Sequence, residues 1–132
     1  MNKELQDLLD KLKRDYNELA LCRSTLAQAE KNLKEAEYLR DIRYYELMLS
    51  GFFIECKNED QRKAVFQGAE LGLISQVHIA SMQQMNAKVS YDLVELDVLK
   101  DKFEIRIHEL DAALWKELNS EKDDKEDSTM PF

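Results

Sequence analysis

The sequence predicts an all-α protein, a long antiparallel helical hairpin resembling a coiled coil, and three observations carry that expectation. Leucine recurs every seventh residue at Leu5, Leu12, Leu19, Leu26 and Leu33. The one proline, Pro131, stands next to the last residue, and glycine occurs three times in 132 residues. Charged residues make up 35% of the chain, and Ala, Leu, Glu, Lys and Asp dominate it, as in amphipathic helices rather than sheets. With 44% hydrophobic residues the chain suffices for one domain, expected over residues 1–119.

The first helix is expected over about 2–49. Its leucines take position a of a heptad, and position d reads Leu8, Asp15, Cys22, Ala29 and Ala36. Large residues on one side of the seam and small ones on the other let a second helix approach closely, and Asp15 breaks the apolar seam at one level. After Leu33 the repeat slips. Continuing it would place Arg40 and Arg43 on the seam, whereas the apolar set becomes Tyr38, Ile42, Tyr45, Leu49 and Phe52. Gly51 can take the left-handed conformation that closes a helix end, so the chain turns over about 50–58. Asn58 reads as the N-cap of a second helix, with Glu59 and Asp60 in the first turn and Gln61 as the reciprocal capping partner.

That second helix is expected over about 59–119. Its core stripe reads Met82, Val89, Leu93, Leu96, Phe103, Ile107, Leu110, Leu114 and Leu118, with Lys100 as an interruption. Gly68 and Gly72 are the only break points, each costing about 1 kcal/mol against alanine, which permits a bend and hence a three-helix variant of the fold. Two helices joined by so short a connection lie antiparallel. Centring the turn near Ile54 brings Leu5 near Phe103 and Leu33 near Ser75 by equal rise on both arms.

Residues beyond about Ile107 then overhang the first helix. Leu110, Leu114, Trp115 and Leu118 are left without a partner, and an apolar stripe in water is an interaction site. The expectation is self-association, first of all as a dimer forming a four-helix bundle. The competing expectation is that the second helix folds back at Gly68 or Gly72 and covers its own stripe in a monomer. A second cluster lies at the turn, where Tyr45, Phe52, Phe53, Ile54 and Phe66 form an aromatic tip suited to gripping a protein partner, or else a small core that caps the hairpin. Around it Arg40, Arg43, Arg62 and Lys63 make a modest basic collar, the one place where nucleic acid could be touched.

Composition excludes much else. A net charge of -8 disfavours wrapping of nucleic acid, since phosphate binding relies on Lys and Arg displacing counterions. The acid continues into residues 120–132, where five carboxylates face Lys122 and Lys125, and the expectation there is a disordered acidic tail. No catalytic residues, cofactor or metal site are expected. His78 and His108 lie thirty residues apart, and no phosphate loop or HExxH pattern occurs. Cys22 and Cys56 lack a CxxC partner and read as buried or incidental thiols. No membrane span and no secretory leader are evident, so the expected compartment is the cytoplasm.

The run Lys57-Asn58-Glu59-Asp60-Gln61-Arg62-Lys63-Ala64, set between two long helices, resembles the turn of small helical-hairpin proteins of bacteriophages and mobile elements. That resemblance implies a bacterial or phage setting and an accessory role, and it transfers no site residue. Two functional expectations follow. The first is a non-enzymatic assembly protein that self-associates and binds a protein partner through its tip. The alternative is a phage-type accessory factor of DNA replication or recombination, acting as a DNA mimic or a weak nucleic-acid binder.

Overall fold

The computed structural model describes the backbone from residue 3 to 129 and the side chains from 3 to 120. Three helices and no strands occur among the described residues: α1 (Lys3–Leu49), α2 (Glu59–Ala69) and α3 (Leu71–Thr129). Helix α1 packs against α3. The chain divides into two compact units. Unit 1 comprises Met1–Leu19 with Leu93–Phe132, and unit 2 comprises Ala20–Asp92. The tail expected at 120–132 to be disordered instead continues the backbone of α3 to Thr129, and its side chains beyond residue 120 and residues 130–132 lie outside the described residues.

The end of α1 shows how local chemistry sets an element boundary. Gly51 has φ +82°, the left-handed conformation that only glycine adopts without strain. Around it the Phe52 N–H donates to the Leu47 carbonyl at 3.1 Å and the Gly51 N–H to Met48 at 3.3 Å. These two bonds satisfy carbonyls that the helix end would otherwise leave open, the Schellman arrangement. Nothing lies within 4 Å of where a Cβ would sit on Gly51, so a substitution there is penalised by backbone conformation alone. Gly51→Ala is expected to lower stability by about 1–2 kcal/mol, measured by guanidinium unfolding. A variant as stable as the parent would contradict this reading of the turn.

Helix α2 starts as a reciprocal cap. The Asn58 Oδ1 accepts from the Gln61 N–H at 2.8 Å, and the Gln61 Oε1 accepts from the Lys57 N–H at 2.7 Å. The return bond thus reaches one residue before the N-cap rather than the N-cap itself. The break between α2 and α3 falls on Glu70, with φ -120° and ψ 46°, and not on either flanking glycine. The Glu70 carboxylate accepts from Arg43 Nε at 2.6 Å, which ties this residue to α1. The expected second helix is thus two helices, the three-helix variant of the fold, and beyond the break α3 is unbroken from Leu71 to Thr129.

In both units the inward face of α1 is the heptad seam. Leu5, Leu12, Leu19 and Leu8 face inward in unit 1, and Cys22, Leu26, Ala29, Leu33 and Ala36 do so in unit 2. The expected slip after Leu33 is confined to position d, which passes from the exposed Arg43 to Tyr44, while position a holds at Arg40 and Leu47. Arg40, Tyr44 and Leu47 continue the inward face, while Tyr38, Ile42, Tyr45 and Leu49 are exposed. Tyr44 wins that place because its ring meets Phe53 and Phe66, at centroid distances of 5.2 and 5.4 Å. The pairing register also differs from the symmetric estimate. A turn centred at Ile54 sets Arg43 against Val65, yet Arg43 meets Glu70. The chain keeps coiling after α1, with Ile54 bonded to Gly51 and Cys56 to Phe53, and so reverses later than the midpoint of the connection.

Candidate interaction surfaces

Helix α3 in unit 1 carries apolar residues on two opposite faces. Val94, Val98, Asp101 and Ile105 are buried against α1, at heptad spacing, with Val98 only 3% exposed. The residues expected to form the core point elsewhere. Leu93, Leu96, Phe103, Ile107, Leu110 and Leu114 are all exposed, Phe103 to 66%. Two residues of α-helix turn through about 200°, so the Leu96 line lies nearly opposite the Val94 line. The core stripe assigned to α3 from sequence is therefore corrected: within unit 1 the greasier stripe faces outward. The same inversion holds in unit 2, where Ala80 is buried and Met82, Met85 and Val89 are exposed.

The four residues assigned to self-association belong to this outward surface. Leu110, Leu114, Trp115 and Leu118 are all more than half exposed, Trp115 to 67%. Leu8 and Ile107 line one groove together with Lys11 and His108, so α1 still flanks α3 at that level. From residue 109 to 120 every side chain of α3 is exposed. The uncovered stretch thus begins slightly later than the symmetric hairpin placed it.

Between α1 and α3 of unit 1 lies a charged layer that sequence reading did not anticipate. The Asp101 side chain is completely buried, and its Oδ1 accepts from Lys11 Nζ at 2.6 Å. Lys11 also stands 3.8 Å from Asp15 Oδ2. A hydrogen bond to Asp101, then burial and the repulsion between the two carboxylates, raises the Asp15 pKa above the ordinary value. Burial acts to raise Asp101 as well, but hydrogen bonds from Asp15 and Lys11 outweigh it and hold Asp101 below the ordinary range. The Oδ2 atoms of both residues are buried without a hydrogen-bond partner when both carboxylates are ionised, and a proton on Asp15 supplies the missing donor. The Lys11 pKa is raised in turn, chiefly by its hydrogen bond to Asp101. A heptad position occupied by aspartate signals a partner across the seam, and Asp15 was the available clue.

The aromatic tip in unit 2 divides in two. Phe53 and Phe66 are buried with Leu47, and Tyr44, Cys56 and Ile74 pack on them. Tyr45, Phe52 and Ile54 remain exposed, with Phe52 edge-on to Phe53 at 5.2 Å. A cleft of about 460 Å³ lined by Tyr44, Tyr45, Lys63 and Phe66 adjoins them. The basic collar is largely paired. Arg40 bonds Asp41 at 3.0 Å, Arg43 bonds Glu70 at 2.6 Å and Glu46 at 3.2 Å, and Lys63 meets Glu59 at 3.3 Å. Arg62 is half-buried. His78 is exposed in unit 2 and His108 half-buried in unit 1, while Cys22 and Cys56 are free thiols. Among the described residues no helix is long and apolar enough to cross a membrane. No known protein family, curated protein or solved structure matches this chain.

Proposed function

We propose that this chain is a non-enzymatic assembly protein that associates with a second copy of itself through the outward apolar stripe of α3 in unit 1. One observation carries the reading: α3 is apolar on two opposite faces there, and α1 covers only one of them. A helix with apolar residues on both faces reaches its stable state when both are covered. An exposed stripe of large side chains spaced three and four residues apart marks an interaction surface rather than scattered surface leucines. The exposed Tyr45, Phe52 and Ile54 fit a separate contact with a protein partner. A role at nucleic acid draws less support, because carboxylates already neutralise Arg40, Arg43 and Lys63.

The test is a double substitution, Leu110→Asp with Leu114→Asp, read by size-exclusion chromatography with light scattering. Both residues are exposed, so the helix content of the chain should survive by circular dichroism. The expected result is a fall in mass to that of one chain at concentrations where the parent is associated. Unchanged mass in the variant would remove the stripe from the interface.

A further inference from the structure

We infer that the second copy docks antiparallel, its α3 laid against this α3 and centred between His108 and Glu109. This rests on the assembly reading above and deepens it. The outward stripe of unit 1 carries two charged residues, Lys100 seven positions before Ile107 and Glu117 seven positions after Leu110. Seven residues are nearly two full turns, so both charges stand in line with the apolar side chains between them. Both are exposed in the single chain.

The order along the stripe is Lys100, Phe103, Ile107, Leu110, Leu114, Glu117. Reversed against itself, this order sets Ile107 on the partner's Leu110, Phe103 on the partner's Leu114, and Lys100 on the partner's Glu117. Four apolar layers are closed at each end by an opposite-charge pair. A parallel copy in register would instead set lysine on lysine and glutamate on glutamate, and such like-charge contacts disfavour that pairing. On the flank, Glu104 lies beside Lys11 of its own chain, which offsets its charge against the partner's Asp111.

The available area suits this occupant. Phe103, Ile107, Leu110, Leu114 and the flanking Leu118 are between 41% and 66% exposed. At roughly 100 Å² for each half-exposed large side chain they offer about 500 Å² per copy. The stems of Lys100 and Glu117 bring this toward the ~800 Å² per partner of a standard stable interface.

Charge reversal tests the arrangement, with the dimer dissociation constant measured by sedimentation equilibrium. Antiparallel docking predicts that Lys100→Glu and Glu117→Lys each weaken the dimer at least ~10-fold, since each creates two like-charge pairs. The double variant restores opposite charges and should return within about threefold of the parent. Single variants that leave the constant unchanged, in a chain that does dimerise, overturn the antiparallel geometry and leave assembly standing. A parent chain that is monomeric at every concentration removes the assembly reading itself and this inference with it.

Discussion

Replacing Phe66 by alanine is expected to destabilise the turn region by about 3 kcal/mol. Phe66 is only 4% exposed, and it joins α2 to α1 by packing with Leu47, Phe53 and Tyr44. The cluster is small, so no neighbouring layer stands ready to collapse into the vacated space. The lost edge-on contact with Tyr44 adds to the transfer loss. Chemical unfolding followed by tyrosine fluorescence reads the change. Phe52→Ala is the control, because Phe52 is 47% exposed and its truncation should cost less than about 1 kcal/mol. Equal losses at both positions would show that the buried cluster contributes nothing particular.

The charged layer of unit 1 gives the second large effect, and its sign is opposite. Asp15→Leu combined with Asp101→Leu is expected to stabilise the chain at neutral pH by about 1–4 kcal/mol, because well-packed apolar side chains avoid the cost of burying two carboxylates beside each other, which the raised Asp15 value reports. Lys11, 45% exposed, can turn to water in that variant. The pH dependence follows from the two shifts. Asp15 binds its proton more tightly in the folded state, so its stabilising contribution is complete below the ordinary aspartate range and is lost as pH climbs through the raised value. Asp101 is the reverse: its contribution is complete above that range and is lost as pH falls through the lowered value.

Unit 1 is therefore expected to be most stable in mild acid, near the ordinary aspartate value of about 4, and weaker on both sides. Lys11 and Asp15 face the layer from α1 and Asp101 and Glu104 from α3, while the exposed Asp97 and Lys100 act on it only through their charge. Thermal melts from pH 3 to 8 should show the maximum in the parent and lose it in the double variant. A monotonic rise toward neutral pH in the parent would contradict the shared proton.

How much of this could be read from residues alone differs between the two long helices. Position a of α1 is leucine five times running and its opposite faces are charged, so one stripe stands out and it is the buried one. Helix α3 offers two stripes. Periodicity reports that a stripe favours burial, not which neighbour buries it, and the larger side chains of the outward stripe masked the smaller Ala80, Val94 and Val98 of the inward one. Close approach of helices favours those smaller residues at the contact, so size misled where spacing did not. Asp101 was illegible for a related reason: a lone carboxylate in a highly charged helix reads as solvated face, and only the position of Lys11 and Asp15 on the other helix shows otherwise.

At the turn, by contrast, the short-range chemistry was legible. Gly51, Asn58 and Gln61 act within a few residues of themselves, where spacing alone determines the partner. The division of the tip was not. Phe52 and Phe53 are adjacent and chemically identical, and only the direction of the coiling chain after Gly51 sends one inward and the other outward. Tyr44 and Tyr45 are separated in the same way, by which of them meets Phe66.

The central claim is that a second copy covers the outward stripe of α3 in unit 1. Sedimentation equilibrium of the intact chain over about 1–100 µM tests it most directly, a range that brackets micromolar association. The predicted result is a mass that rises with concentration toward twice the 15.5 kDa of one chain. A constant 15.5 kDa throughout that range, in a chain whose circular dichroism shows its full helix content, would contradict it.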